Sequence, residues 1–211
     1  MVRLHYFFDP LCGWCYGIAP LIKAAAALPS VELHLHAGGL WPRPTVLPAS
    51  VRKQIRAADA RVGQLSGQPY GPRYLDVLLP SDGMVLHSQP VTAAVLAARS
   101  LRPGADLEML RAIQTAHYVG GEHVIERETL LRLANGLGLD AAAFSAVLDP
   151  AVADAHMSST QRKMEQLGVS GFPAVFIEQA GQFAELPPQN YFGNPAGFVA
   201  AIQAAGRQTL H

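Results

Sequence analysis

The chain has 211 residues, half of them hydrophobic and 15% charged, with 16 Lys and Arg balanced by 16 Asp and Glu. That length holds one large domain, or a small domain with a second one inserted into it. The even charge balance excludes a bulk field that would draw nucleic acid or an anionic membrane, so a partner must be recognised by local contacts.

Val2 to Phe8 is apolar and aromatic and stops at Asp9-Pro10, which predicts a buried strand ending in a turn. No basic n-region or long apolar h-region precedes it, so no signal peptide is expected and the location is read as cytoplasmic. Apolar runs such as Ile22 to Leu28 fall far short of the ~20 residues a spanning helix needs. Gly13 to Leu28, rich in Ala, Ile and Leu and closed by Pro29-Ser30, predicts a helix. Val31 to Ala37 alternates, with Val31, Leu33, Leu35 and Ala37 on one face and Glu32, His34 and His36 on the other, as in a half-exposed edge strand. Strand, helix and strand together predict a parallel pair with a right-handed crossover.

Gly38-Gly39 and the Pro-rich stretch from Trp41 to Pro48 form a loop, and strand-like composition is then scarce until residue 172. Helices are predicted over 49–65, 89–101, 105–117, 126–136, 140–147 and about 150–167. The breakers between them include Gly67 to Pro72, Pro80 to Gly83, Arg102 to Gly104 and Gly120-Gly121. Ala174–Glu178 and Gln182–Leu186, joined through Ala180-Gly181, predict a β-hairpin, and Pro195 to Ala205 a closing helix. The order β-α-β, helical block, β-β-α predicts an α/β thioredoxin fold interrupted by a large all-helical insertion. Residues 1–44 and 161–211 would form the discontinuous thioredoxin-fold domain and residues 45–160 the insertion.

Both cysteines lie in one motif, Cys12-Gly13-Trp14-Cys15, so no structural disulfide framework is available. A C-x-x-C pair between a strand and a helix sets the first thiol at unpaired backbone N–H groups and the positive end of the helix dipole, where negative charge is favoured. Cys12 is therefore read as the nucleophile and Cys15, one turn in, as the resolving thiol of dithiol-disulfide exchange. Two ordinary buried cysteines or half of a zinc site are the competing readings, but the strand-helix context favours redox chemistry, and zinc usually takes four ligands while the remaining donors are histidines without a second Cys pair or tight spacing. No metal or other cofactor is expected, and no glycine-rich nucleotide-binding element is present.

The run Cys12-Gly13-Trp14-Cys15-Tyr16-Gly17-Ile18-Ala19-Pro20 resembles the thioredoxin active-site segment, including the proline five residues after the second Cys that kinks its helix. Phe7-Phe8-Asp9-Pro10-Leu11 and the large insertion resemble instead the DsbA-like family, in particular its cytosolic FrnE-type and predicted disulfide-isomerase branch. Gly168-Val169-Ser170-Gly171-Phe172-Pro173-Ala174 is similar to the segment that carries that family's cis-proline. The resemblance implies a cis bond before Pro173, and a Phe172 backbone that pairs with an extended substrate segment beside the nucleophilic thiol. It implies a thiol-disulfide oxidoreductase or isomerase acting on protein or small-molecule thiols and disulfides, glutathione among the candidates, with a homodimer left open. Gly13-Trp14 departs from the Pro-His of DsbA and the Gly-Pro of thioredoxin, which leaves the redox direction open. Two rivals are a glutathione-dependent transferase or isomerase of the kappa-class type, whose active-site residue is usually Ser, and a chaperone-like binding module.

Trp14 is read either as an apolar lip for substrate or as packing on the insert. Asp9 is read first as a turn former that could also act on the thiols. Trp41 is assigned to packing, away from the active-site end, and one of His87, His117 and His123 is a candidate for proton transfer.

Overall fold

The computed structural model describes residues 1–208. Strand β1 (Val2–Phe8) lies at the centre of a four-stranded sheet and is buried along almost its whole length. Its even-numbered apolar residues, Leu4, Tyr6 and Phe8, enter the main core, while Phe7 faces a smaller cluster with Met164, Ala174 and Phe176 on the other side of the sheet. Burying each such side chain contributes roughly 1.5–3 kcal/mol.

The predicted helix over 13–28 is two helices, α1 (Gly13–Gly17) and α2 (Ala19–Ala26), meeting at Ile18. Pro20 sits in the first turn of α2 and has no N–H to give the Tyr16 carbonyl. The Gln68 side chain makes up that loss, donating Nε2–H to Tyr16 O at 3.2 Å. Strand β2 (Val31–Ala37) then pairs with β1 in parallel, Val2 opposite Val31 and Phe8 opposite Ala37, at the edge of the sheet as expected. Its polar face is half-exposed as expected, with Glu32 open to solvent and His34 and His36 partly buried. A helix of the insertion packs against part of that face, and His36 stacks on Phe7 and lies 2.9 Å, Nε2 to Nδ1, from the buried His5.

Residues after β2 run through β3 (Thr45–Val46), α3 (Ala49–Ser66), a π-helical turn (Arg73–Leu78) and β4 (Val85–Leu86). The insertion is therefore not all-helical: β3 and β4 form a two-residue antiparallel ladder, too short to give any period in the sequence. Helices α4 (Ser88–Leu101), α5 (Ala105–Tyr118), α6 (Arg127–Gly136), α7 (Ala141–Val147) and α8 (Pro150–Leu167) follow. Asp149 caps α8, its Oδ1 accepting the Ala151 N–H at 2.8 Å with Pro150 in the first turn. Gly168, at φ +69°, ends the helix in the left-handed conformation, and Val169 N–H returns to Met164 O at 2.8 Å.

That turn carries the chain back to the sheet. Strand β5 (Ala174–Gln179) pairs antiparallel with β1 and with β6 (Gln182–Glu185), giving the order β2-β1-β5-β6. A short 3₁₀ turn at Pro188–Tyr191 leads to α9 (Pro195–Gln208), which packs with α2 on the main-core face. This is a thioredoxin fold with a helical insertion. Residue 160 lies inside the unbroken α8, and a single hydrophobic cluster joins sheet and insertion. We propose the division at 44/45 and 160/161 as one of topology, with the core shared across it. No helix among the described residues is long and apolar enough to cross a membrane.

Candidate active site

The turn between β1 and α1 is held by Asp9, which is fully buried. Its Oδ1 accepts the Leu11 N–H and its Oδ2 the Leu40 N–H, both at 2.8 Å, and the Cys12 N–H donates to Asp9 O at 3.2 Å. Asp9 thus forms the turn and ties it to the loop that leaves β2. Burial raises its carboxyl, while bonds from Ser88, Leu40 and Leu11 pull the other way.

Cys12 occupies the N-cap of α1 with extended backbone, and its Sγ lies 3.8 Å from the Phe172 carbonyl oxygen. The Phe172-Pro173 bond is cis. The Phe172 ring packs so closely on Gly38 that a Cβ there would overlap it, which fixes the loop against the end of β2. Both cysteines are free thiols. Cys15 has no exposure, and burial pushes its thiol well above the ordinary range, helped by its hydrogen bond with Cys12 and by the charge Cys12 can carry.

Trp14 is 36% exposed and packs edge-on against Phe192, 5.7 Å between ring centroids. Its neighbour there comes from the segment before α9 and not from the insertion. Gly13 is dictated by the insertion instead: a Cβ would overlap Asp59 Oδ1 from α3.

A cavity of about 190 Å³ opens beside Cys12, bounded by the motif, by Trp41, and by Asp59, Tyr74, His117 and Tyr118 from the insertion. Trp41 packs on the main core, as expected, and also lines this cavity. Because β1 and β2 are parallel, the loops that leave them emerge at the same end of the sheet, a consequence of the predicted crossover that the packing assignment passed over. Trp41 is clamped to the start of α4, its N–H donating to Ser88 Oγ at 2.8 Å, and its indole N–H is buried without a partner. Of the three candidate histidines only His117 lines the cavity, and burial lowers it to about 4, so it is neutral at pH 7. Among the described residues no cluster of three or more His, Cys, Asp or Glu side chains is placed to hold a metal ion.

Asp59, Tyr70 and Tyr74 are the residues that sequence reasoning missed. Arg52, Ile55, Asp59 and Val62 form one inward stripe of α3 at helical spacing, and a carboxylate inside that stripe was the available signal. Asp59 Oδ2 accepts from Tyr74 Oη at 2.7 Å, and the Tyr70 hydroxyl is shared between Asp59 and the Gly13 carbonyl oxygen at 3.4 Å.

Comparison with known proteins places this geometry. A search of curated proteins found no match. Among solved structures, the chain is similar to the cytosolic disulfide reductase DsbM from Pseudomonas aeruginosa, with 40% identity, 98% of this chain and 99% of that one covered, and a TM-score of 0.89. A second structure of that protein, with GSH, matches at 40% identity over 97% and 99% of the two chains, with a TM-score of 0.87. A candidate protein disulfide isomerase from Nitrosomonas europaea matches at 26% identity over 100% and 99%, with a TM-score of 0.83. The model of the DSBA-like thioredoxin domain matches residues 3–196, and the chain belongs to that family as a disulfide oxidoreductase.

Proposed function

We propose that the protein is a cytoplasmic thiol-disulfide reductase in which Cys12 is the nucleophile and Cys15 the resolving thiol, acting on small or protein disulfides with glutathione as a thiol partner. The observation that carries this reading is the placement of Cys12 at the cavity wall, 3.8 Å from the Phe172 carbonyl, with Cys15 sealed behind it. The likeness to DsbM, named a cytosolic disulfide reductase and also seen with GSH, supports the direction, the compartment and the thiol partner.

In the first step the Cys12 thiolate attacks one sulfur of the substrate disulfide, a bond forms to Cys12 Sγ, and the other substrate sulfur leaves with the electron pair of the broken bond. In the second, Cys15 gives up its proton and attacks Cys12 Sγ, which releases the reduced substrate and leaves the Cys12–Cys15 disulfide. Order follows from the local electrostatics. Burial holds the Cys15 proton in place, and so do the hydrogen bond and charge of Cys12. Once Cys12 is bound in a mixed disulfide, the contributions of its thiolate disappear and Cys15 ionises more readily. Trp14 and Trp41 line the cavity and offer an apolar surface to the substrate flanks, while the Phe172-Pro173 loop lies beside Cys12 and offers the Phe172 backbone to an extended segment.

Cys15→Ala separates the two roles. The variant is expected to accumulate a one-to-one mixed disulfide at Cys12 when mixed with oxidised glutathione, read as an added mass on the intact protein. No adduct under conditions where the wild type is oxidised would count against the assignment, and so would an equally stable adduct on Cys15 in Cys12→Ala.

A further inference from the structure

One carboxyl in the cavity takes no part in the exchange steps above. Asp59 reaches the cavity from the middle of α3 and is 3% exposed. Its Oδ1 occupies the space that any side chain at position 13 would need, so the glycine between the cysteines and this carboxyl fit one another. Its Oδ2 is held by Tyr74, and Tyr70 bridges it to the Gly13 carbonyl. The titratable groups around it are Cys12 at the start of α1, Tyr70 and Tyr74 from the segment after α3, and His117 and Tyr118 from α5. No Lys or Arg lines the cavity among the described residues, so no cation there holds Asp59 in its ionised form.

We propose that Asp59 is a further catalytic residue, the acid that protonates the sulfur leaving the substrate when Cys12 attacks. The inference rests on the reading of Cys12 as nucleophile. As the Cys12 Sγ–S bond forms and the substrate S–S bond breaks, the electron pair of the broken bond goes to the departing sulfur. The Asp59 proton moves to that sulfur, giving a neutral thiol and a carboxylate, which takes a proton back from water. In the reverse direction the carboxylate accepts the proton of the attacking substrate thiol.

Burial raises the Asp59 carboxyl to about 6, against the pull of its bonds from Tyr74 and Tyr70. It therefore retains protons close to neutral pH, where an exposed aspartate has none to give. The position of the acid and its ability to hold a proton thus come from the same burial.

Two neutral disulfides isolate the step. The leaving thiol of 2-hydroxyethyl disulfide is basic and gains from a proton, whereas 2,2′-dithiodipyridine releases a stabilised thione that needs none from the protein. The ratio of their single-turnover rates with reduced protein cancels the thiolate fraction of Cys12. In the wild type that ratio is expected to fall about tenfold as pH rises from about 5 to about 8, with its midpoint near 6. In Asp59→Asn it should be flat and about tenfold lower at the acid end. Tyr74→Phe removes a donor that holds the carboxyl down, so its midpoint should move to higher pH.

An unchanged ratio in Asp59→Asn overturns the proposal, and so does an equal loss with both disulfides, which would mark a structural role. If Asp59→Asn does not fold, Tyr74→Phe decides, and an unmoved midpoint there overturns it. A wild type whose Cys12 does not react with 2,2′-dithiodipyridine would overturn the reading of Cys12 instead.

Discussion

Cys12→Ser is expected to lower the single-turnover rate with a disulfide substrate by at least about 10³-fold, the scale on which a nucleophile is lost. A serine hydroxyl does not ionise near neutral pH, and nothing else in the cavity can take over. Cys15 has no exposure, and its burial, which the variant keeps, holds its thiol protonated. Cys12 is itself only 6% exposed, and the swap is nearly isosteric, so thermal stability should change little. Stopped-flow rates of the folded variant check this. Retention of more than a tenth of the wild-type rate would mean that Cys12 is not the attacking sulfur.

Gly71→Ala should destabilise the fold by about 3 kcal/mol, the upper end of ordinary overpacking, which lowers Tm by roughly 6–12 °C for a chain of this size. Gly71 lies between Tyr70 and the π-helical turn that carries Tyr74, and its N–H donates to Tyr118 O at 2.8 Å. A Cβ there would meet the Val119 carbonyl oxygen, its carbon and the Val119 Cα. These are backbone atoms at the end of α5. They cannot turn aside as a side chain would, so the segment must move away and the Gly71–Tyr118 bond must stretch. Tyr70 and Tyr74 would shift with it, loosening their hold on Asp59. Thermal unfolding of the variant gives the answer directly, and a loss below about 1 kcal/mol would show that the two backbones can part without cost.

The frame was legible because its elements are periodic or long. Alternation placed β2, the apolar run placed β1, and the helix expected over about 150–167 is α8. What escaped was set by contacts between distant segments. The break at Ile18 follows from Pro20, but its tolerance depends on Gln68, fifty residues on. The β3–β4 ladder has two residues on each side, and no period can be read from two residues. The contacts on the polar face of β2 follow from the packing of α8 against it, which brings Lys163 to 3.3 Å, Nζ to Nδ1, from His5.

At the site the same division holds. The C-x-x-C spacing and the Phe172-Pro173 segment are local signals, and the fold brings Cys12 and the Phe172 carbonyl together across 160 residues of sequence. Trp41 and Asp59 carry no motif. Trp41 is placed by the parallel register of β1 and β2, and Asp59 by the packing of α3 on α1. Trp41 could be reached by asking what the predicted topology brings to one end of the sheet, and Asp59 by asking why a carboxylate lies in the inward stripe of α3.

The central claim is that Cys12 and Cys15 form one reversible redox couple, and it is tested most directly by equilibrating the protein in graded mixtures of reduced and oxidised glutathione or dithiothreitol. The fraction bridged is read by the mass shift on alkylation. A single two-electron transition is predicted, about 30 mV for each tenfold change in ratio, at a potential below about −200 mV as suits a reductase. A transition near −120 mV, the value of the oxidant DsbA, would contradict the proposed direction. The absence of any reversible bridge between Cys12 and Cys15 would contradict the account itself.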